Sequence, residues 1–167
     1  MNRTPETPAE EGLRFFGAIA ASASHDMKNV LAVINEISGL FEDIPMMMAK
    51  GRPIDPERLK SLTGRMSAQI RRGDEIARNL NRFAHSIDQA RCRTDLVEIV
   101  QFTLSLARRM CHNRNVQIEY SAPTAVQLRT DPFFLENLVW SCLDHATAAA
   151  GNGNLVNVLV EKRESGA

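Results

Sequence analysis

Two apolar stripes, each too long for an ordinary globular helix and parted by a short break, constrain this chain before anything else is read. Between Leu13 and about Met48, the residues Leu13, Phe16, Ala20, Met27, Leu31, Ile34 and Phe41 are separated by three, four or seven positions, a heptad-like line. A helix of about 35 residues is roughly 50 Å long, so its stripe needs an equally long partner. The chain supplies one after the break KGRPID. Asp55-Pro56-Glu57 offers an N-cap and a first-turn proline, and a second line runs through Leu59, Leu62, Met66, Ile70, Ile76, Leu80, Phe83 and Ile87. The pair predicts a long antiparallel helical hairpin over residues 11–91, preceded by a flexible polar tail over residues 1–10. One hairpin leaves much of its apolar surface wet. Two hairpins are therefore expected to pair into a homodimeric four-helix bundle, with the interface centred on Phe16, Ile34, Leu62 and Phe83. A helical monomer packed on its own C-terminal lobe is the alternative.

Residues 92–167 have a different texture. Thr94 or Asp95 can cap a helix through Leu96, Ile99, Val100, Leu104 and Ala107 that ends near residues 113–115. Val116, Ile118 and Tyr120 alternate with polar residues, as do Val156, Val158 and Val160, and both runs predict strands. Asp131-Pro132 opens a helix through Phe134, Leu135, Leu138, Val139, Cys142, Leu143 and Ala146, which stops at the turn Gly151-Asn152-Gly153. Helix, strand, helix, strand makes a small α/β lobe, so the fold class is mainly α with that lobe appended.

Composition excludes several classes. Twenty basic and twenty acidic residues cancel, so neither nucleic acid nor an anionic membrane is drawn to the chain as a whole. The three cysteines, Cys92, Cys111 and Cys142, are odd in number and lack Cys-x-x-Cys spacing, which argues against a disulfide framework and a zinc site. Cys111-His112 and Cys142 with His145 match no standard ligand set, and no metal site is expected. With no membrane-length apolar run and no signal-peptide pattern, a reducing cytoplasm is the expected location.

On the first helix, a helical projection places His25 opposite the apolar line, with Asn29 one turn later beside it and Ala18, Ser22 and Ala32 making a small-residue clearing. Asp26 follows directly, close enough to orient the ring, and imidazole is a usable nucleophile near neutral pH. His85, in the second helix, reads as a surface or bundle histidine that could flank an acceptor site. Met46-Met47-Met48 reads as a helix end, and Arg71-Arg72 as a solvated face.

The octet Ser24-His25-Asp26-Met27-Lys28-Asn29-Val30-Leu31 resembles the phosphoacceptor box of sensor histidine kinases, with Val30 where that box has proline. Three further stretches follow in the family's order: Asn81-Arg82-Phe83-Ala84 at the end of the second dimerisation helix, Asp95-Leu96-Val97-Glu98-Ile99-Val100 on the way into the ATP-binding lobe, and Thr130-Asp131-Pro132-Phe133-Phe134-Leu135-Glu136-Asn137-Leu138 before the nucleotide helix. The resemblance runs from Leu13 to Val160. It implies a dimerisation and histidine-phosphotransfer hairpin followed by a partial ATPase-like lobe, as in stand-alone dimeric histidine phosphotransferases. His25 would carry the phosphoryl group, with Asp26 and Asn29 beside it, and the partners would be response-regulator receiver domains that bring their own aspartate and magnesium.

The match breaks at the nucleotide helix. The family's two asparagines, which serve magnesium and the phosphates of ATP, fall on Ser141 and His145, and the glycine-rich segments that close over the nucleotide are absent. Imidazole is a poor substitute for an amide oxygen toward magnesium. No firmly bound cofactor and no autonomous autophosphorylation are therefore expected. Three alternatives remain open: a sensor-kinase fragment whose autokinase needs further C-terminal residues, a non-catalytic receiver-binding dimer, and a receiver phosphatase in which Asn29 positions water. Met1 with no sensor segment fits a stand-alone protein; the end after a single strand, ESGA, fits a fragment.

Overall fold

The computed structural model describes residues 7–89 and 91–162. The chain is mainly helical: α1 (Pro8–Ala49), α2 (Pro56–Ser86), β1 (Cys92–Asp95), α3 (Leu96–Asn113), β2 (Gln117–Ser121), β3 (Gln127–Thr130), α4 (Pro132–Ala150) and β4 (Leu155–Leu159). It divides into two compact units, Ala20–Asn81, and Met1–Ile19 together with Arg82–Ala167. Each is taken by itself.

The first helix begins earlier than its apolar line. Thr7 and Glu10 form a reciprocal capping box: the Thr7 backbone N–H donates to the Glu10 carboxylate at 2.8 Å, and the Glu10 backbone N–H donates to Thr7 Oγ1 at 3.3 Å. Residues 8–10, expected as tail, are therefore helical. The tail expectation for residues 1–6, and the end ESGA, lie outside the described residues. At the other end α1 continues through Pro45 to Ala49, although proline cannot supply the hydrogen bond of its turn.

In the unit Ala20–Asn81 the helices run antiparallel: Arg65 reaches Glu36 at 3.8 Å, and a Cβ on Gly73 would stand 3.3 Å from Val30 Cγ1. The buried line differs from the expected one. Val30 and Ile37 are buried here, as Phe15 and Ile19 are in the other unit, whereas Leu31 is 58% exposed and Leu13 is 74% exposed. The seam lies about a quarter turn round the helix from the predicted stripe. On α2, Leu62 is buried and Leu59, Met66 and Ile76 are half-buried, but Ile70 is exposed and Gly73 lies in the seam. Gly73 serves by its lack of bulk. Its bare Cα accommodates branched Val30, so Val30 is a packing contact in an unbroken helix.

The other unit has a compact α/β core. Asp95 caps α3 by accepting from the Val97 backbone N–H at 2.9 Å, and the same oxygen accepts from the Val126 N–H at 3.0 Å. Asp131 caps α4 by accepting from the Phe134 N–H at 3.0 Å, ahead of Pro132. β2 and β4 pair in parallel from Gln117↔Leu155 to Ser121↔Leu159. Their half-buried Ile118, Tyr120, Val156 and Val158 face a core built on Val97, Val100, Ala107, Cys111, Leu143 and Val160. β1 and β3, short strands with no apolar alternation, form a separate antiparallel ribbon that the sequence reading missed. The Gly151-Asn152-Gly153 turn has both glycines at positive φ, 76° and 80°, where side chains are strained. Phe15 and Phe83 meet edge to face at 5.0 Å, with Phe16, Phe133 and Trp140 around them. Leu62 and Phe83 are thus buried by the chain's own packing, which corrects their expected place at the centre of an interface between copies.

Candidate functional site

His25 stands in mid-helix with its side chain 51% exposed. Residues 26 and 30 lie on the seam side of α1, and 25 and 29 turn outward, so the helical repeat alone sets imidazole and amide one turn apart on the wet face. Asn29 Nδ2 is 3.2 Å from His25 Nδ1, and Asp26 Oδ1 is 3.8 Å from the same nitrogen. At that distance the carboxylate oxygen is beyond hydrogen-bond reach of the ring nitrogen. The structure therefore brings His25, Asp26 and Asn29 together at one ring nitrogen. Rotation of the Asn29 amide exchanges its oxygen and nitrogen. With the oxygen inward, Nδ1–H donates to Asn29 and the ring's lone pair sits on Nε2; with the nitrogen inward, Nδ1 accepts and Nε2 carries the proton. Asn29 can thus partner either tautomer. Ala18 and Ala32 are exposed and Ser22 half-buried, so these positions carry little bulk.

Ser141 and His145 belong to the other unit. His145 Nδ1–H donates to the Ser141 carbonyl at 2.8 Å, a one-turn bond along α4. Both line a cavity of about 560 Å³ with Glu11, Arg14, Asn137 and Trp140. Phe134 and Leu138 are exposed at its rim; the buried line of α4 is Pro132, Glu136, Leu143 and Thr147. The donor set does not fit a magnesium-nucleotide complex. A hydroxyl and an imidazole occupy the two positions that the nucleotide role would give to amide oxygens. Cys111 is buried, with burial pushing its thiol pKa up, while neighbouring His112 is exposed. Among the described residues no group of three or more His, Cys, Asp and Glu side chains could hold a metal ion, and no helix is long and apolar enough to cross a membrane.

His85 is exposed, its Nδ1 3.5 Å from Asp88. Sequence reasoning missed Glu136. This carboxyl is buried, with Oε2 2.8 Å from Ser86 Oγ, which is itself 2.8 Å from the Phe83 carbonyl. A hydroxyl has one proton to give. When Ser86 donates to Phe83, Glu136 must be the protonated partner. Burial pushes the Glu136 pKa up to about 7 against the pull of Ser86 and Arg82, with Asp131 adding to the push. The signal was its place on the line Pro132, Glu136, Leu143, Thr147, at helical spacing.

No family model and no curated protein matches the chain. Among solved structures it is similar to the Acinetobacter baumannii histidine kinase AdeS, at 14% identity and a TM-score of 0.37, over 81% of this chain and 66% of that one. The likeness thus reaches less than two thirds of that protein's length, and at this level it establishes no shared activity.

Proposed function

We propose that the chain is a two-component phosphotransfer module in which His25 takes a phosphoryl group from an aspartyl phosphate of one receiver domain and passes it to the aspartate of another. The observation that carries this reading is the exposed His25 ring with Asn29 at 3.2 Å and Asp26 at 3.8 Å from one nitrogen, within the octet Ser24 to Leu31. In the forward step the Nε2 lone pair attacks phosphorus, the bond from phosphorus to the receiver's aspartyl oxygen breaks, and that oxygen leaves as a carboxylate. The reverse step regenerates neutral imidazole. Magnesium brought by the receiver neutralises phosphoryl charge. This chain's residues hold the ring: with its amide turned so that Oδ1 in place of Nδ2 faces the ring, Asn29 accepts Nδ1–H and leaves the lone pair on Nε2, and Asp26 stabilises positive charge as the ring becomes phosphorylated. The test is incubation with a phosphorylated receiver domain and detection of acid-labile phosphate on His25; its absence with every competent receiver would favour a binding-only module.

Autophosphorylation lies outside this reading, because Ser141 and His145 do not fit the magnesium-nucleotide role. Labelled ATP with magnesium should leave the chain unlabelled, and calorimetry should find no nucleotide affinity tighter than about millimolar. Robust labelling would overturn this.

The working form in this proposal is a homodimer. Leu31 and Ile70 of the hairpin are more than half exposed, at 58% and 57%, and a second copy would cover them. Sedimentation should give a dimer at micromolar concentration. Leu31→Glu with Ile70→Glu should dissociate it with little loss of helix, since a buried unpaired charge costs several kcal/mol. A monomeric wild type would refute the dimer.

A further inference from the structure

The β1–β3 ribbon shows a different face of the molecule. Its register sets Arg93 directly opposite Arg129, with Gln127 opposite Asp95. Directly opposed residues share a face, so Arg93, Gln127 and Arg129 lie together and exposed, while Cys92, Thr94, Leu128 and Thr130 are half-buried. Arg91 joins them around an open depression of about 590 Å³ that Cys92, Gln127 and Leu128 complete. Like charges directly opposed weaken a ribbon. Arg93 also shares a cavity with Asp95, Glu98 and Glu136, without an ion pair to any of them. Elsewhere Arg65 and Arg114 reach carboxylates, but among the described residues none lies within salt-bridge distance of Arg91, Arg93 or Arg129. Asp95, the acidic residue of the ribbon, has an oxygen already engaged by the Val97 and Val126 N–H groups. Arg93 uses Nε to reach Gln127 at 3.3 Å, which steers its guanidinium across the ribbon.

We infer that the outer face of the β1–β3 ribbon is a docking surface for an acidic segment of a partner protein, which sets two or more carboxylates between Arg91, Arg93 and Arg129. Guanidinium forks match carboxylates in paired hydrogen bonds, and an anion between opposed arginines turns their repulsion into attraction. Nucleic acid suits the face less well: no aromatic side chain lines it for stacking, and the chain as a whole is neutral. A membrane surface calls for a larger basic patch. The inference is independent of the role given to His25.

The experiment is a titration of the ¹⁵N-labelled full chain with a short, capped peptide of alternating Asp and Glu. Amide shifts should move at residues 91–93 and 127–129, and added salt should weaken binding. Arg93→Gln with Arg129→Gln should raise the apparent Kd at least about tenfold while melting at the same or a higher temperature, because two opposed charges are gone. Arg93→Lys with Arg129→Lys keeps the charge without the fork and should fall between the two. Unchanged affinity in the glutamine variant, shifts centred on Arg71 and Arg72 instead, or no binding would overturn the inference. So would tighter binding of duplex DNA or of phosphatidylserine vesicles than of the peptide.

Discussion

His25→Gln is expected to leave folding and self-association unchanged and, on the proposed function, to abolish phosphoryl transfer. The side chain is half exposed and its hydrogen-bond partner Asn29 is also exposed, so folding should change by no more than about 0.5 kcal/mol. Glutamine keeps the polarity but has no ring nitrogen with a basic lone pair, and an amide nitrogen does not accept a phosphoryl group at neutral pH. Asp26→Asn removes the charge 3.8 Å from Nδ1 and should slow transfer by about 10²-fold with the fold intact. Asn29→Ala tests the Nδ1 contact separately, because the ring loses its hydrogen-bond partner but keeps its nucleophilic nitrogen, and transfer should slow rather than stop. If it instead removed dephosphorylation of the receiver while transfer to His25 persisted, Asn29 would be a water-positioning group and the protein a receiver phosphatase. Acid-labile phosphate assayed across the three variants separates these outcomes. Full labelling of a stable His25→Gln protein would move the acceptor elsewhere, with exposed His85 the next candidate.

Some of this was legible in the residues and some was not, for identifiable reasons. Asp131-Pro132 announced α4, Thr94 or Asp95 announced α3, and the alternation through Ile118, Tyr120, Val156 and Val158 announced two strands, because caps and period-two burial are local, whereas their parallel pairing is a long-range contact that alternation does not encode. The hairpin was legible from stripe length, but its seam was misplaced by about a quarter turn. A heptad stripe wide enough for a bundle has more than one apolar line, and only packing against α2 selects the line through Val30 and Ile37 over that through Leu31. Gly73 was invisible to a hydrophobicity reading because it contributes an absence of atoms. The capping box at Thr7 and Glu10 was readable but passed for a polar tail. At the candidate site, helical spacing sufficed to place Asn29 beside His25, whereas the depth of Glu136 depends on Ser86, fifty positions away.

Glu136→Gln should stabilise the α/β unit above neutral pH and flatten part of its pH dependence. In the folded protein the carboxyl titrates at about 7, against a reference value of 4.5. Between those values the folded state holds a proton that the unfolded state has lost, so stability attributable to this group falls as pH rises from about 4.5 to about 7 and is level beyond. The full difference is about 3 kcal/mol as an upper scale. Glutamine matches the neutral form in shape, and its amide can donate to Ser86 Oγ while Ser86 donates to the Phe83 carbonyl, so the network survives without the ionisation cost. The variant and wild type should therefore melt alike near pH 4 and diverge toward pH 8, with the variant higher by several degrees. Arg82 and Asp131 act on the carboxyl in opposite directions, and Arg93, Asp95 and Glu98 line the same cavity, so each contributes to the absolute curve. Subtracting the two profiles leaves the Glu136 contribution. Parallel profiles would mean that Glu136 titrates alike in both states, and a variant less stable at every pH would mean that an ionised carboxylate is being held by Ser86 and Arg82.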